Sequence, residues 1–155
     1  MRISQTYQSR DALQLLRSLD VHEAIVAAIT GTGITLERGG ATNAKHAVES
    51  RLDALGWSTR LRIDTELRTE VNAFHPLGIA LQVQLGNVAR AFYDLMKLQR
   101  LYELGKISVG VLIVPMRVTA RMIGSNLASF ERLSEEHELM FLTQINVPLV
   151  IFGIS

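Results

Sequence analysis

Residues 78–115 read GIALQVQLGNVARAFYDLMKLQRLYELGKISVGVLIVP, and this stretch decides the fold. From Leu77 to Gln84 the side chains alternate: Leu77, Ile79, Leu81 and Val83 share one face, and Gly78, Ala80, Gln82 and Gln84 share the other. A period of two predicts a strand. Asn87 then offers a side-chain cap to a helix running to about Leu104. Val88, Ala91, Phe92, Leu95, Leu98 and Tyr102 form its apolar face, and Gly105 ends it. Ile107 to Val114 is a continuous apolar run, as expected of a strand buried on both faces.

The flanks extend this pattern. Upstream, Trp57 to Asp64 alternates, with Trp57, Thr59, Leu61 and Ile63 on one face and Ser58, Arg60, Arg62 and Asp64 on the other. The intervening TELRTEVNAFHP (65–76) reads as a hairpin connection or a strand extension. A helix is predicted from Thr42 to Leu55, stopped by Gly56, and one or two helices from about Ser9 to Thr30, capped by Ser9 or Asp11. GTGITLERGG (31–40) separates these helices. Downstream come a helix near Leu127–Phe141 and a last buried strand, VPLVIFGI. Hairpin strands followed by crossovers predict an α/β fold with a mixed central sheet flanked by helices. The expected organisation is one domain, 1–155, with N-terminal helices over 1–36 and a core over 37–155.

Composition removes several classes. The chain has 155 residues, 48% hydrophobic and 20% charged, with a formal net charge of +1. That is globular composition, neither disordered nor coiled-coil. There are no cysteines, which excludes disulfides, thiol nucleophiles and cysteine zinc sites. The N-terminus has no apolar signal region. The apolar runs VGVLIVPM and VPLVIFGI fall well short of the ~20 residues that span a bilayer. A cytoplasmic protein with no membrane partner is the expectation. GTGITLERGG lacks the Gly-Lys-Ser/Thr ending of a phosphate loop and is not the GxGxxG fingerprint. The histidines at 22, 46, 75 and 137 show no metal-ligand spacing and read as surface residues. No GxSxG elbow is present.

One constellation could carry chemistry. Asp64 ends the first strand, and Gln82 and Gln84 share a face of the next, so neighbouring strands could gather three polar side chains at a sheet edge. Nucleases need such a cluster. A hard divalent cation takes one or two carboxylates with waters and substrate phosphate, then stabilises developing charge and generates hydroxide. The competing reading makes Gln82 and Gln84 the solvated face of a half-exposed strand.

LRID (61–64) and the 78–115 stretch resemble BglII/BstYI-type restriction endonucleases of the PD-(D/E)XK superfamily. ERGGATNAKHAVESRLDALGW (37–57) and the C-terminal helix, Asn-Xaa-Pro-Leu and apolar strand ending Gly-Ile are also similar. The likeness covers roughly residues 37–155. It implies a restriction-endonuclease-like core and Mg²⁺-dependent hydrolysis of double-stranded DNA at palindromic, GATC-centred sites by a homodimer. It makes Asp64 the metal-binding aspartate, Gln82 the occupant of a metal-binding glutamate position, and Gln84 the third active-site residue. Glu49 matches a helix glutamate of some superfamily members; the competing reading is a surface residue. The departure is Gln82, neutral where a carboxylate is expected. Three explanations stand: an engineered inactive variant, a natural degenerate enzyme that binds DNA without cutting, or a shifted register in which Glu66 or Glu70 supplies the second acid.

Candidate DNA contacts are Arg90 and Lys97, seven residues apart near one helix face, with Arg100 beyond them. Others are Arg117, Arg121 and Asn126 in PMRVTARMIGSN (115–126), and, around the Gly-Gly turn, Arg38 and Lys45. A solvated helix face and an ordinary basic loop account for the same residues. The exposed side of the 87–104 helix or the N-terminal helices could supply the dimer interface.

Overall fold

The computed structural model describes the backbone of residues 1–64 and 69–155, and the side chains of these residues other than Ile63, Asp64 and Thr69. A mixed six-stranded sheet has the order β1-β6-β5-β4-β3-β2. In chain order the elements are β1 (Ile3–Ser9), α1 (Ala12–Ser18), α2 (His22–Thr30), α3 (Ala41–Ala54), β2 (Ser58–Asp64), β3 (Thr69–His75), β4 (Ile79–Val83), α4 (Val88–Glu103), β5 (Val109–Pro115), α5 (Arg117–Ile123), α6 (Phe130–Glu136) and β6 (Leu149–Ile154). A π-helical turn, His137–Phe141, continues α6.

The parallel centre is the part foreseen from residues 78–115. β4, β5 and β6 are parallel neighbours. Their period of two sorts apolar side chains onto two faces. Ile79, Leu81, Val83, Val109, Val111, Ile113, Val150 and Phe152 join the cluster beneath α1–α3. Ala80, Leu112, Val114, Leu149 and Ile151 join the cluster beneath α4 and α6. Each strand thus buries both faces, which explains the unbroken hydrophobicity of β5 and β6; β4 is buried as fully but carries Gln82. Asn87 caps α4 as expected, its side chain accepting from the Ala89 N–H at 2.8 Å.

Three elements differ from the sequence reading. β1 was not predicted: most of Ile3–Ser9 is polar and exposed, and it becomes a strand by pairing antiparallel with β6 at the sheet edge. Residues 1–36 are therefore not helices alone, and Ser9 ends a strand instead of capping a helix. TELRTEVNAFHP contains a full strand, β3, paired antiparallel with both β2 and β4. The basic segment after β5 is the short helix α5, not a loop. α4 also sits slightly rotated from its predicted face: Leu101 is buried, whereas Tyr102 stays 36% exposed.

Candidate active site

β3 changes the geometry of the predicted constellation. The strand ending in Asp64 is not the neighbour of the strand carrying Gln82 and Gln84, because β3 lies between β2 and β4. Asp64 pairs with Thr69 at the end of the β2–β3 ladder. The backbone thus leaves Asp64 one strand removed from β4. Glu66 lies outside the described residues.

The residue beside β4 is Asn72. The β3–β4 ladder runs through His75↔Ile79, Phe74↔Ala80 and Ala73↔Leu81. One step on, the Asn72 side chain takes over from the ladder: its Oδ1 accepts the Val83 N–H at 2.7 Å. Its Nδ2 donates to Glu49 Oε1 at 2.9 Å. β3 and β4 separate here, and a polar cleft of about 850 Å³ opens between the start of α3 and α4. Lys45, Arg60, Glu70, Asn72, Gln82, Gln84, Arg90, Tyr93, Asp94 and Lys97 are among its walls.

Gln82 and Gln84 both reach this cleft, and neither is solvated. They are 2% and 6% exposed. Gln82 Nε2 makes a long contact to the Glu70 carbonyl, 3.4 Å. Gln84 is held at both ends: Nε2 donates to Asp94 Oδ2 at 2.7 Å, and Oε1 accepts the Gly86 N–H at 2.9 Å. Such bonds are required of a buried amide, whose unpaired groups would cost stability.

Glu49 is buried, 4% exposed, and not a surface residue. Arg60 donates to its Oε2 through Nε and Nη2, both at 3.2 Å, and Lys45 Nζ stands 3.8 Å from Oε1. Arg60 reaches it from a left-handed backbone, φ 51°, in the middle of β2. Few non-glycine residues adopt that conformation. Ladder pairing skips Arg60 while Thr59↔Ala73 and Leu61↔Val71 keep one register on either side of it; the register shifts only between Arg62 and Asp64.

Among the predicted DNA contacts, Arg90 is exposed at the cleft wall. Lys97 also lines the cleft but is committed: Nζ lies 2.9 Å from Asp94 Oδ1, donates to the Glu70 carbonyl at 2.9 Å and sits over the Tyr93 ring at 5.3 Å. Asn126 is exposed, and its carbonyl accepts the Val88 N–H at 3.0 Å, which ties it to the start of α4. Arg117 and Arg121 are exposed on α5, outside the cleft walls. Arg100 pairs with Glu103, and Arg38 stands exposed away from the cleft walls.

The cleft residues missed in the sequence are Arg60, Asn72, Tyr93 and Asp94. Asp94 left a signal, a charged residue between Ala91 and Leu95 on the buried arc of α4. Asn72 left none once its strand had been read as a connection.

Residues 4–154 match the family described as restriction endonuclease BglII/BglIII. The chain belongs to the BglII/BglIII restriction endonuclease family. The fold agrees. A crystal structure of restriction endonuclease BglII complexed with a DNA 16-mer is similar at a TM-score of 0.84 and 11% identity, covering 99% of this chain and 76% of that one. The crystal structure of free BglII is similar at 0.76 and 11%, covering 100% and 80%. At that identity the likeness carries the fold. A search of curated proteins finds no match.

The Mg²⁺ expected for a BglII/BglIII-family site can be tested on the donor set. Among the described residues no three His, Cys, Asp or Glu side chains gather as a metal site. Both Glu49 oxygens already accept from Arg60 and Asn72, Asp94 is taken by Lys97 and Gln84, and Gln82 and Asn72 are neutral. Lys45, Arg60, Arg90 and Lys97 stand against three acids, Glu70 and Asp94 at the walls and the buried Glu49 paired with Arg60. A hard divalent cation selects anionic oxygens. The described residues do not fit it; their charge suits an anion instead.

Proposed function

We propose that this family member is a type II restriction endonuclease in a form disabled for hydrolysis, which holds double-stranded DNA across the cleft without cutting it. The observation that carries this reading is Gln82, a neutral amide buried at the cleft beside β3. In this reading Lys45 and Arg90 receive backbone phosphates, since both line the cleft and Arg90 is exposed. Arg117, Arg121 and Asn126 supply contacts beyond the cleft, with Arg and Asn suited to guanine and adenine edges. Gln84 acts by positioning: it ties the Gly86 amide and Asp94 together and so fixes the turn from β4 into α4. A palindromic duplex is matched by two copies related by a two-fold axis, and a homodimer is part of the proposal. Mg²⁺ binding then requires more acid at the cleft than this chain carries, and Asp64 is a further carboxylate to test.

The test is gel retardation of a GATC-containing duplex by the unaltered chain in EDTA, across a salt series, beside cleavage in Mg²⁺. Retardation that weakens with salt, with no cleavage, is expected. No retardation at low salt, or cutting by the unaltered chain, would overturn the reading.

A further inference from the structure

The bonding of Asn72 carries a second inference, which rests on the reading of the cleft as a disabled site. Asn72 meets one group that can only donate, the Val83 N–H, and one that accepts, the Glu49 carboxylate. The two contacts fix the amide: Oδ1 faces Val83 and Nδ2 faces Glu49, at 2.7 and 2.9 Å. Only a side chain that both accepts and donates satisfies them. A carboxylate at 72 would still accept from Val83. It would also set two carboxylates at hydrogen-bonding distance, with Glu49 4% exposed and its other oxygen already held by Arg60. Like charges that close raise each other's cost of ionisation, and the cations at hand, Arg60 and Lys45 (Nζ 3.8 Å from Glu49 Oε1), already serve Glu49.

We infer that Asn72 is a neutral lock, which lets this cleft fold and stay closed to divalent cations, and that positions 72 and 82 together decide whether the site takes a metal. Restoring an acid at 82 alone leaves Asn72 bonded to Glu49 and the lock in place. Placing an acid at 72 creates a local demand for positive charge that a divalent cation can meet.

The experiment measures Tm with EDTA, with Mg²⁺ and with Mn²⁺, for the unaltered chain, Gln82→Glu, Asn72→Asp and the Asn72→Asp/Gln82→Glu double variant. It needs no DNA, so its failure is separable from failure of the duplex-binding reading, which the retardation assay scores alone. The unaltered chain and Gln82→Glu should be indifferent to the metals. Asn72→Asp should melt about 5 °C lower in EDTA and regain that loss with either metal. The double variant should show the larger metal-dependent rise. Stabilisation of the unaltered chain by Mg²⁺, or an Asn72→Asp variant that matches it in every condition, would overturn the inference. If Asn72→Asp fails to fold, Glu49→Gln/Asn72→Asp decides. There the amide introduced at position 49 can donate to the carboxylate introduced at position 72, so folding in EDTA without a metal response supports the lock. Failure of that variant to fold refutes it.

Discussion

Gln84 donates through Nε2 to Asp94 Oδ2 at 2.7 Å, joining the end of β4 to the second turn of α4 across a buried contact. The same aspartate holds Lys97 through its other oxygen, at 2.9 Å. Three polar side chains thus share one buried position. Asp94→Ala should cost about 3 kcal/mol, since it leaves the Gln84 Nε2 without its acceptor and removes the charge partner of a Lys97 side chain only 11% exposed, which keeps just the Glu70 carbonyl as acceptor. Asp94→Asn, which keeps an acceptor, should cost less. Urea unfolding checks this as a drop in midpoint with an unchanged slope.

Gly153 in β6 is a packing position. A Cβ there would meet Met116 Sδ at 2.5 Å and Phe130 Cγ at 2.7 Å. Phe130 belongs to the cluster under α6, so it has little room to move. Gly153→Ala should destabilise by about 1–3 kcal/mol through overpacking. A thermal melt of this variant at the stability of the parent would refute that packing.

His137 makes the fold sensitive to acid. It is fully buried, its Nδ1 lies 3.0 Å from Tyr7 Oη, and its Nε2 has no partner among the described residues. Burial, and then the charge of Arg10, hold its pKa below the ordinary 6.5. Glu138 is the acid nearby, and its charge, after burial, raises the pKa of Tyr7. The folded state therefore binds the His137 proton less readily than the unfolded chain. Stability should be full above about 6.5, fall as pH drops below that value, and stop falling below the folded pKa. His75, also lowered by burial, adds to the same window. His137→Gln should flatten the slope of stability against pH between 6.5 and 5, roughly the range of histidine titration. An unchanged slope would place the titration elsewhere.

Arg90 tests the cleft as a phosphate site. It is exposed at the wall, with no ion-pair partner among the described residues. Arg90→Ala should weaken duplex binding evenly across sequences and reduce the log–log salt slope by about 1. Arg100→Ala, at a residue already paired with Glu103, should change the slope less. Fluorescence anisotropy over a salt series measures both.

Much of the scaffold was legible because its signals are local. The alternation over 79–83, the Asn87 cap and the apolar run into β5 each depend on neighbours a few residues away. Gln82 and Gln84 were legible as a pair for the same reason, since two residues apart on a strand share a face. Their burial was not, because it depends on α4 lying over that face.

The sequence by itself determined the β4–α4–β5 unit, the two-sided burial of β5 and β6, and the pairing of Gln82 with Gln84, all consequences of side-chain period along one segment. Tertiary structure decided that β1, polar and exposed, joins the sheet through β6. It also decided that β3 separates β2 from β4, and so that Asn72, not Asp64, stands beside β4 and bonds Glu49. Strand order is set by which faces pack and which edges pair across the whole sheet, and no local period records it.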